Sequence, residues 1–230
     1  MKEPIKIYFA GELFDHKHLT GNAILASYIN TLGAGKYEVI LPQDSETSSE
    51  RAEGIRNNDL KLLLESDLAL FNFDGTDLDS GTVAEFMFAK MLDLPSVILR
   101  TDFRSAGDQR GIGDKWNLMC SFYPRTEALS IDAMKLYHDS HSHDSHSHDK
   151  DCGCEKLYPI DLFYNKIAGL LLKSFDKVRR RKSIFGGDVD KLNEAYSLAV
   201  SFPGGGLKKA CGSAAKLRDL VDSKRRKGIY

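Results

Sequence analysis

One segment in the first half of the chain constrains the fold more than any other, because a strand, a loop and a helix follow one another there. Residues 67–73 (Asp-Leu-Ala-Leu-Phe-Asn-Phe) are an apolar run of strand length, typical of a strand buried on both faces in a parallel sheet. Residues 82–92 are rich in helix formers. The loop between them carries Asp and Gly residues, and open α/β sheets bind ligands at the carboxyl ends of such strands.

Other apolar segments extend this pattern along the first half of the chain. Short apolar runs predict three further strands, at residues 5–10, 37–41 and 95–100. Helical periodicity predicts helices at residues 22–32 and 51–65. Alternation of strands with helices indicates an α/β protein with a parallel sheet.

Glu85 stands out because it is a charged residue in the first turn of an otherwise apolar helix, between Ala84 and Phe86. A surface glutamate stabilised by the helix dipole would explain it. The alternative is a nucleophile, with Asp79 as a second carboxyl group. Two carboxyl groups around one anomeric carbon are the minimum that cleavage of a glycosidic bond with retention requires.

The residues from Asp79 to Glu85, Asp-Ser-Gly-Thr-Val-Ala-Glu, resemble the nucleoside 2-deoxyribosyltransferase family. Matching segments follow in the family's order: Lys-Ile-Tyr-Phe-Ala-Gly at 6–11, Leu-Pro-Gln-Asp-Ser-Glu at 41–46, Asn-Asp-Leu at 58–60 and Asn-Leu-Met at 117–119. The resemblance implies a flavodoxin-like, three-layer α/β/α fold. That fold has a parallel sheet of about five strands, here followed by a helical C-terminal extension.

The resemblance also implies which residues form the site. Three are expected to be catalytic: Glu85, Asp79 and Asp59. Six are expected to bind substrate: Tyr8, Gly11, Phe14, Glu46, Gly81 and Asn117. No metal ligand is expected among them.

In this scheme Glu85 forms a covalent deoxyribosyl ester, and the β configuration is retained. Asp79 or Asp59, with a pKa raised by the crowding of carboxylates, protonates the departing base. Tyr8 contacts the Glu85 carboxylate, although core packing would explain this tyrosine equally well.

The remaining roles concern the base and the sugar. Phe14 would stack on the base, and Glu46, with Gln43 as a fallback, would bind its polar edge. Gly11 would allow a tight turn after the first strand. Asn117 would reach the sugar 5′-hydroxyl, across a subunit interface in many family members. Each polar residue also fits a simpler role as a solvated loop or cap residue.

The function that the resemblance implies is exchange of the base of 2′-deoxynucleosides with free nucleobases, in purine and pyrimidine salvage. No cofactor is expected, and the family assembles as dimers or larger homo-oligomers. A hydrolase of deoxynucleosides or their 5′-monophosphates is the nearest alternative. A nucleotide-binding module with a basic tail that binds a partner is a lesser one.

Composition indicates a globular protein, because 42% of the 230 residues are hydrophobic and 28% are charged. No apolar run approaches the ~18–20 residues that cross a bilayer. The N-terminus lacks the pattern of a signal peptide. Four cysteines do not make a disulfide framework at this length, so we expect a cytoplasmic protein.

We therefore divide the chain into a catalytic α/β domain (1–137), an insertion (138–155), a last core helix (156–178) and a basic helical extension (179–230). The insertion is predicted to be disordered, although its five histidines and two cysteines have metal affinity. From residue 173 onward there are 15 Lys and Arg against 6 Asp and Glu. No aromatic or motif signature accompanies these charges, so nucleic-acid binding is not expected.

Overall fold

The computed structural model describes residues 3–45, 51–104, 114–142 and 158–230. Within them, five strands form one parallel sheet in the order β2-β1-β3-β4-β5. The strands are β1 (Ile5–Ala10), β2 (Tyr37–Ile40), β3 (Leu68–Asn72), β4 (Ser96–Arg100) and β5 (Thr126–Ser130). This is the flavodoxin-like order, which confirms the predicted fold class.

Helices lie on both sides of the sheet. They are α1 (His16–Leu32), α2 (Ala52–Glu65), α3 (Ser80–Met91), α4 (Ala133–Ser142), α5 (Pro159–Arg179), α6 (Val189–Ser201), α7 (Gly205–Cys211) and α8 (Ala214–Arg226). Helix α1 begins six residues before the predicted start, because the Asp15 side chain caps it by accepting from the backbone of Lys17 and His18.

Helix α4 corrects one prediction about the insertion. Residues 138–142, expected to be disordered, are the end of this helix. Residues 143–157, which include the remaining histidines and both cysteines of the insertion, lie outside the described residues. No helix among the described residues is long and apolar enough to cross a bilayer.

The sheet separates two cores, because successive strand residues point to opposite faces. On one face, Ile7 and Phe9 pack with residues of α1 and α5. On the other, Tyr8 and Ala10 pack with residues of α2 and α3. Tyr8 is therefore directed toward the helix that carries Glu85.

The C-terminal helices belong to this second core. Seven buried side chains of α6, α7 and α8 lie in the same cluster as the central strands: Leu192, Tyr196, Ala199, Val200, Leu207, Leu217 and Val221. The segment that the sequence presents as an extension is thus packed onto the α2–α3 side of the sheet.

Several charges of the basic tail have partners inside the molecule. Lys227 Nζ lies 2.9 Å from Asp67 Oδ2, and the buried Lys224 donates to the carbonyl of Ser66. The hydroxyl of Tyr230 donates to the carbonyl of Leu92 at 2.8 Å. Two of the basic residues in the C-terminal segment, Lys224 and Lys227, thus bind other parts of the protein and are not simply exposed to solvent.

Helix α7 approaches α2 so closely that one of its glycines is required. A Cβ atom at Gly206 would overlap Asn57 Nδ2 and lie 2.6 Å from Glu53 Oε1, whereas a Cβ at Gly205 meets nothing within 4 Å. We expect Gly206→Ala to lower the free energy of unfolding by about 1 kcal/mol, the cost of overpacking less the gain in helix propensity.

Gly205→Ala is the matched control, and it is expected to leave the stability unchanged or raise it slightly. Urea unfolding of both variants measures the difference. Equal stability of the two variants would contradict the close contact between α7 and α2.

Candidate active site

A hydrogen bond between a buried tyrosine and a glutamate lies at the centre of the site. The hydroxyl of Tyr8, on β1, donates to Glu85 Oε1 of α3 at 2.5 Å. Tyr8 is fully buried and Glu85 is partly buried. The predicted contact between these two residues, 77 positions apart, is therefore present, and Glu85 is not a fully solvated surface residue.

Glu85 lines a cavity of about 800 Å³ between α2, α3 and the turn that joins α6 to α7. A volume of this size is within the range of small-molecule sites. The wall is mostly apolar, and its charged side chains are Arg56, Asp59 and Glu85. Gly81 also lines it. The fold thus brings three of the predicted site residues to one cavity.

Asp59 comes from a part of α2 with poor helix formers. Asn57 is buried and accepts from its neighbour Arg56 Nη2 at 2.9 Å. Asn58 has a tertiary partner, because its Nδ2 donates to Ser45 Oγ at 2.9 Å. Asp59 itself lies at the cavity.

Asp79 caps the helix that carries Glu85. It is the N-cap of α3, and its Oδ2 accepts from Thr82 N at 2.7 Å and from Thr82 Oγ1 at 2.8 Å. Asp79 is not among the residues that line the Glu85 cavity. Its observed contacts are those of a cap that starts the helix.

The two predicted residues of the β1–α1 loop do not line this cavity either. Gly11 is not in the left-handed region of φ, so the expected tight turn is not its reason. Instead, a Cβ there would lie 3.2 Å from Asn72 Cβ, so a small residue is favoured by space. Phe14 is 75% exposed. Glu46 lies outside the described residues.

Asn117 lies at a second cavity, of about 750 Å³, together with Asp77, Arg100 and Trp116. Its Oδ1 accepts from Met119 N at 2.9 Å, so it caps the short 3₁₀ turn at Leu118–Cys120. Within one chain, the structure does not bring Asn117 to the cavity of Glu85.

The cavity residues that were not predicted from the sequence include Arg56 of α2, and Phe202 and Pro203 of the α6–α7 turn. Arg56 lies three positions before Asp59, a spacing that places both on one face of a helix and was therefore a usable signal. Phe202 and Pro203 come from the α6–α7 turn, and their position depends on how the C-terminal helices dock. No local pattern indicates that.

Among the described residues, one group has the ligand atoms of a possible metal site: Glu12, Asp15 and His18, on the surface at the start of α1. His18 Nδ1 lies 2.9 Å from Asp15 Oδ2 and its Nε2 lies 3.5 Å from Glu12 Oε2. Ion pairing within the group explains this arrangement.

The chain is an open α/β protein with a carboxylate-bearing cavity beside α2 and α3. The sequence model of one family, described as nucleoside 2-deoxyribosyltransferase, matches residues 7–150. The chain belongs to this family. Helices α5 to α8 lie beyond the matched residues.

Three solved structures are similar to this chain. A conserved protein from Enterococcus faecalis V583 is 24% identical, with a TM-score of 0.45 over 76% of this chain and 98% of its own. A 2-deoxyribosyltransferase from Bacillus psychrosaccharolyticus is 21% identical, with a TM-score of 0.38 over 44% and 77%. A 2-desoxiribosyltransferase from Leishmania mexicana is 20% identical, with a TM-score of 0.44 over 63% and 99%. No curated protein matches the sequence.

Proposed function

We propose that this protein exchanges the base of 2′-deoxynucleosides through a covalent deoxyribosyl ester on Glu85. The observation that carries the proposal is the hydrogen bond from the buried Tyr8 to a glutamate that lines a ligand-sized cavity. A hydrogen bond to one carboxylate oxygen restricts the orientation of the group, which in the proposed reaction bonds to C1′.

In the first step a Glu85 oxygen forms a bond to C1′ while the bond from C1′ to the base nitrogen breaks. The electron pair of that bond leaves with the base, which takes a proton from an acid. The oxocarbenium-like transition state is stabilised by the adjacent carboxylate. A second base then attacks C1′ from the face that the first base left, and its N–H proton passes to the carboxylate that protonated the first base. This step releases Glu85 and retains the configuration. A 2′-hydroxyl would withdraw electrons and slow the ionisation, so deoxy substrates are expected.

Asp59 is the better supported acid, because it lines the same cavity as Glu85 while Asp79 accepts two hydrogen bonds from Thr82. We expect Asp59→Asn to lower the rate of exchange by about 10²-fold or more, the usual contribution of a general acid. Asp79→Asn keeps an oxygen that can accept both bonds from Thr82. It is therefore expected to retain the stability and most of the activity.

Asp79→Ala separates the cap from the chemistry, because it removes the acceptor and is expected to cost about 1 kcal/mol of stability. Exchange rates and urea unfolding of the three variants give the comparison. A loss of rate in Asp79→Asn as large as in Asp59→Asn, at unchanged stability, would transfer the acid role to Asp79.

The proposed reaction is tested by incubating a deoxynucleoside with and without a second base. Formation of a new deoxynucleoside only in the presence of the second base is the expected result. Release of free deoxyribose and base at the same rate in both samples would identify a hydrolase instead.

Asn117 fits the proposal only if the protein assembles, since it does not line the Glu85 cavity of its own chain. We propose a homo-oligomer in which this residue serves the site of another subunit. A monomer by light scattering, with full exchange activity, would remove Asn117 from the site.

A further inference from the structure

One wall of the Glu85 cavity comes from outside the residues that match the family. Phe202 and Pro203, in the turn between α6 and α7, line the cavity together with Asp59 and Glu85. The family match ends at residue 150. Any contact between this turn and a ligand would therefore involve residues outside the segment that matches the family.

Phe202 is 76% exposed, although it is a large aromatic residue in the turn between two helices. Val200 precedes it and Leu207 follows it, and both are buried in the core that contains Phe86 and Leu63. The helices on either side are thus anchored, and the turn leaves an aromatic ring uncovered at the cavity.

The turn is also held directly to the helix that carries Asp59. Arg56 Nη2 donates to the carbonyl of Pro203 at 3.1 Å and to Asn57 Oδ1 at 2.9 Å. On the other side of the turn, α7 packs against α2. The backbone of the turn that carries Phe202 is thereby held beside the cavity.

The positions of the charged and apolar residues in the cavity indicate where the sugar and the base would bind. The charged side chains are Arg56, Asp59 and Glu85, whereas Ile55, Met91 and Phe202 belong to the apolar remainder. In the proposed reaction the sugar must lie at Glu85, which bonds to C1′. A nucleobase has a polar edge and two apolar faces, so its face requires an apolar surface.

We propose that Phe202 is a substrate-binding residue that packs against the face of the nucleobase, so that the C-terminal region determines which bases this site accepts. The inference rests on the proposed function, because it takes a base as the ligand of the cavity. Stacking on an aromatic side chain requires only a π face and increases with ring area. The contribution of Phe202 is therefore larger for purines than for pyrimidines.

The test compares the wild-type protein with Phe202→Ala, Phe202→Tyr and Leu198→Ala. Leu198 is the matched control, since it lies on α6 one turn earlier, is 60% exposed and does not line the cavity. KM and kcat are measured for adenine and thymine as acceptors with one common deoxynucleoside donor. Calorimetric titration with adenine measures binding without turnover.

Phe202→Ala is expected to raise the KM and the Kd of adenine about tenfold, within the range measured for aromatic stacking on a base. The KM of thymine rises less, and kcat changes little. Phe202→Tyr restores the wild-type values because it keeps the ring, and Leu198→Ala has no effect.

Values for Phe202→Ala within twofold of the wild type, for adenine in both measurements, would overturn the inference. Adenine binding that depends on Phe202, in a wild-type protein without exchange, would support the inference and refute the proposed reaction. A wild-type protein that does not bind adenine would refute the base-binding role of Phe202.

Discussion

Replacement of Glu85 by glutamine is expected to lower base exchange by about 10⁴-fold or more, the size of effect that loss of a nucleophile produces in other enzymes. The amide has nearly the same size, but it cannot form the ester with C1′. Its carbonyl oxygen can still accept the hydrogen bond that Tyr8 donates to Glu85 at 2.5 Å. The fold is therefore expected to remain intact, and the loss is a loss of chemistry.

The measurement is chromatography of a reaction that contains a deoxynucleoside and a second base. Mass spectrometry of the wild-type protein with a donor alone is expected to detect one deoxyribosyl group, bound to the peptide that contains Glu85. Glu65→Gln is the matched control, because Glu65 pairs with Lys61 at the end of α2 and does not line the cavity. Undiminished exchange by Glu85→Gln would remove the proposed mechanism.

Tyr8→Phe is expected to lower the exchange rate less than Glu85→Gln does. The variant keeps the nucleophilic carboxylate but loses the hydrogen bond that Tyr8 donates to orient it, and a hydrogen bond to a charged group contributes about 1.5–3 kcal/mol. A decrease of about tenfold or more in kcat is expected. A rate equal to that of the wild type would show that Tyr8 contributes to core packing and not to catalysis.

The sequence predicted the central part of the fold because the signals there are local. Residues 68–71 are apolar throughout, as in a strand covered on both faces, and α5 has the amphipathic pattern of a helix that packs on a sheet. Strand β5 was not recognised. Its sequence, Thr-Glu-Ala-Leu-Ser, lies at the edge of the sheet and is partly exposed, so little hydrophobic pattern marks it.

Only part of the site was predicted, and that part came from the family resemblance rather than from local sequence patterns. The pairing of Tyr8 with Glu85 followed from the family resemblance, because no property of either segment alone brings them together. Asp79 directly precedes a helix and is followed three residues later by Thr82, whose backbone it caps. That N-cap signal was present in the sequence, but the expected acid role took precedence over it. The position of Phe202 at the cavity depends on how α6 and α7 pack onto α2, and sequence periodicity does not predict that packing.

Loss of a buried ion pair between Arg125 and Asp93 is expected to have the largest effect on stability. Arg125 is 3% exposed and its Nη1 donates to Asp93 at two atoms, the carbonyl at 2.9 Å and Oδ2 at 3.0 Å. Its other amino group donates to the carbonyl of Ile229, and its guanidinium lies 5.5 Å from the centre of the Tyr230 ring. Asp93 also accepts from Ile184 N at 3.1 Å.

Arg125→Met is therefore expected to lower the free energy of unfolding by about 3–5 kcal/mol, because it leaves the Asp93 carboxylate buried without its cation. Arg225→Met is the control. Arg225 faces Asp222 at 3.5 Å on the surface, and an exposed pair contributes only about 0–1 kcal/mol. Urea unfolding of both variants measures the difference.

Adding Asp93→Asn to Arg125→Met removes the stranded charge, so the double variant is expected to be more stable than Arg125→Met alone. A cost below about 1 kcal/mol for Arg125→Met would contradict the assignment of a stabilising role to the pair.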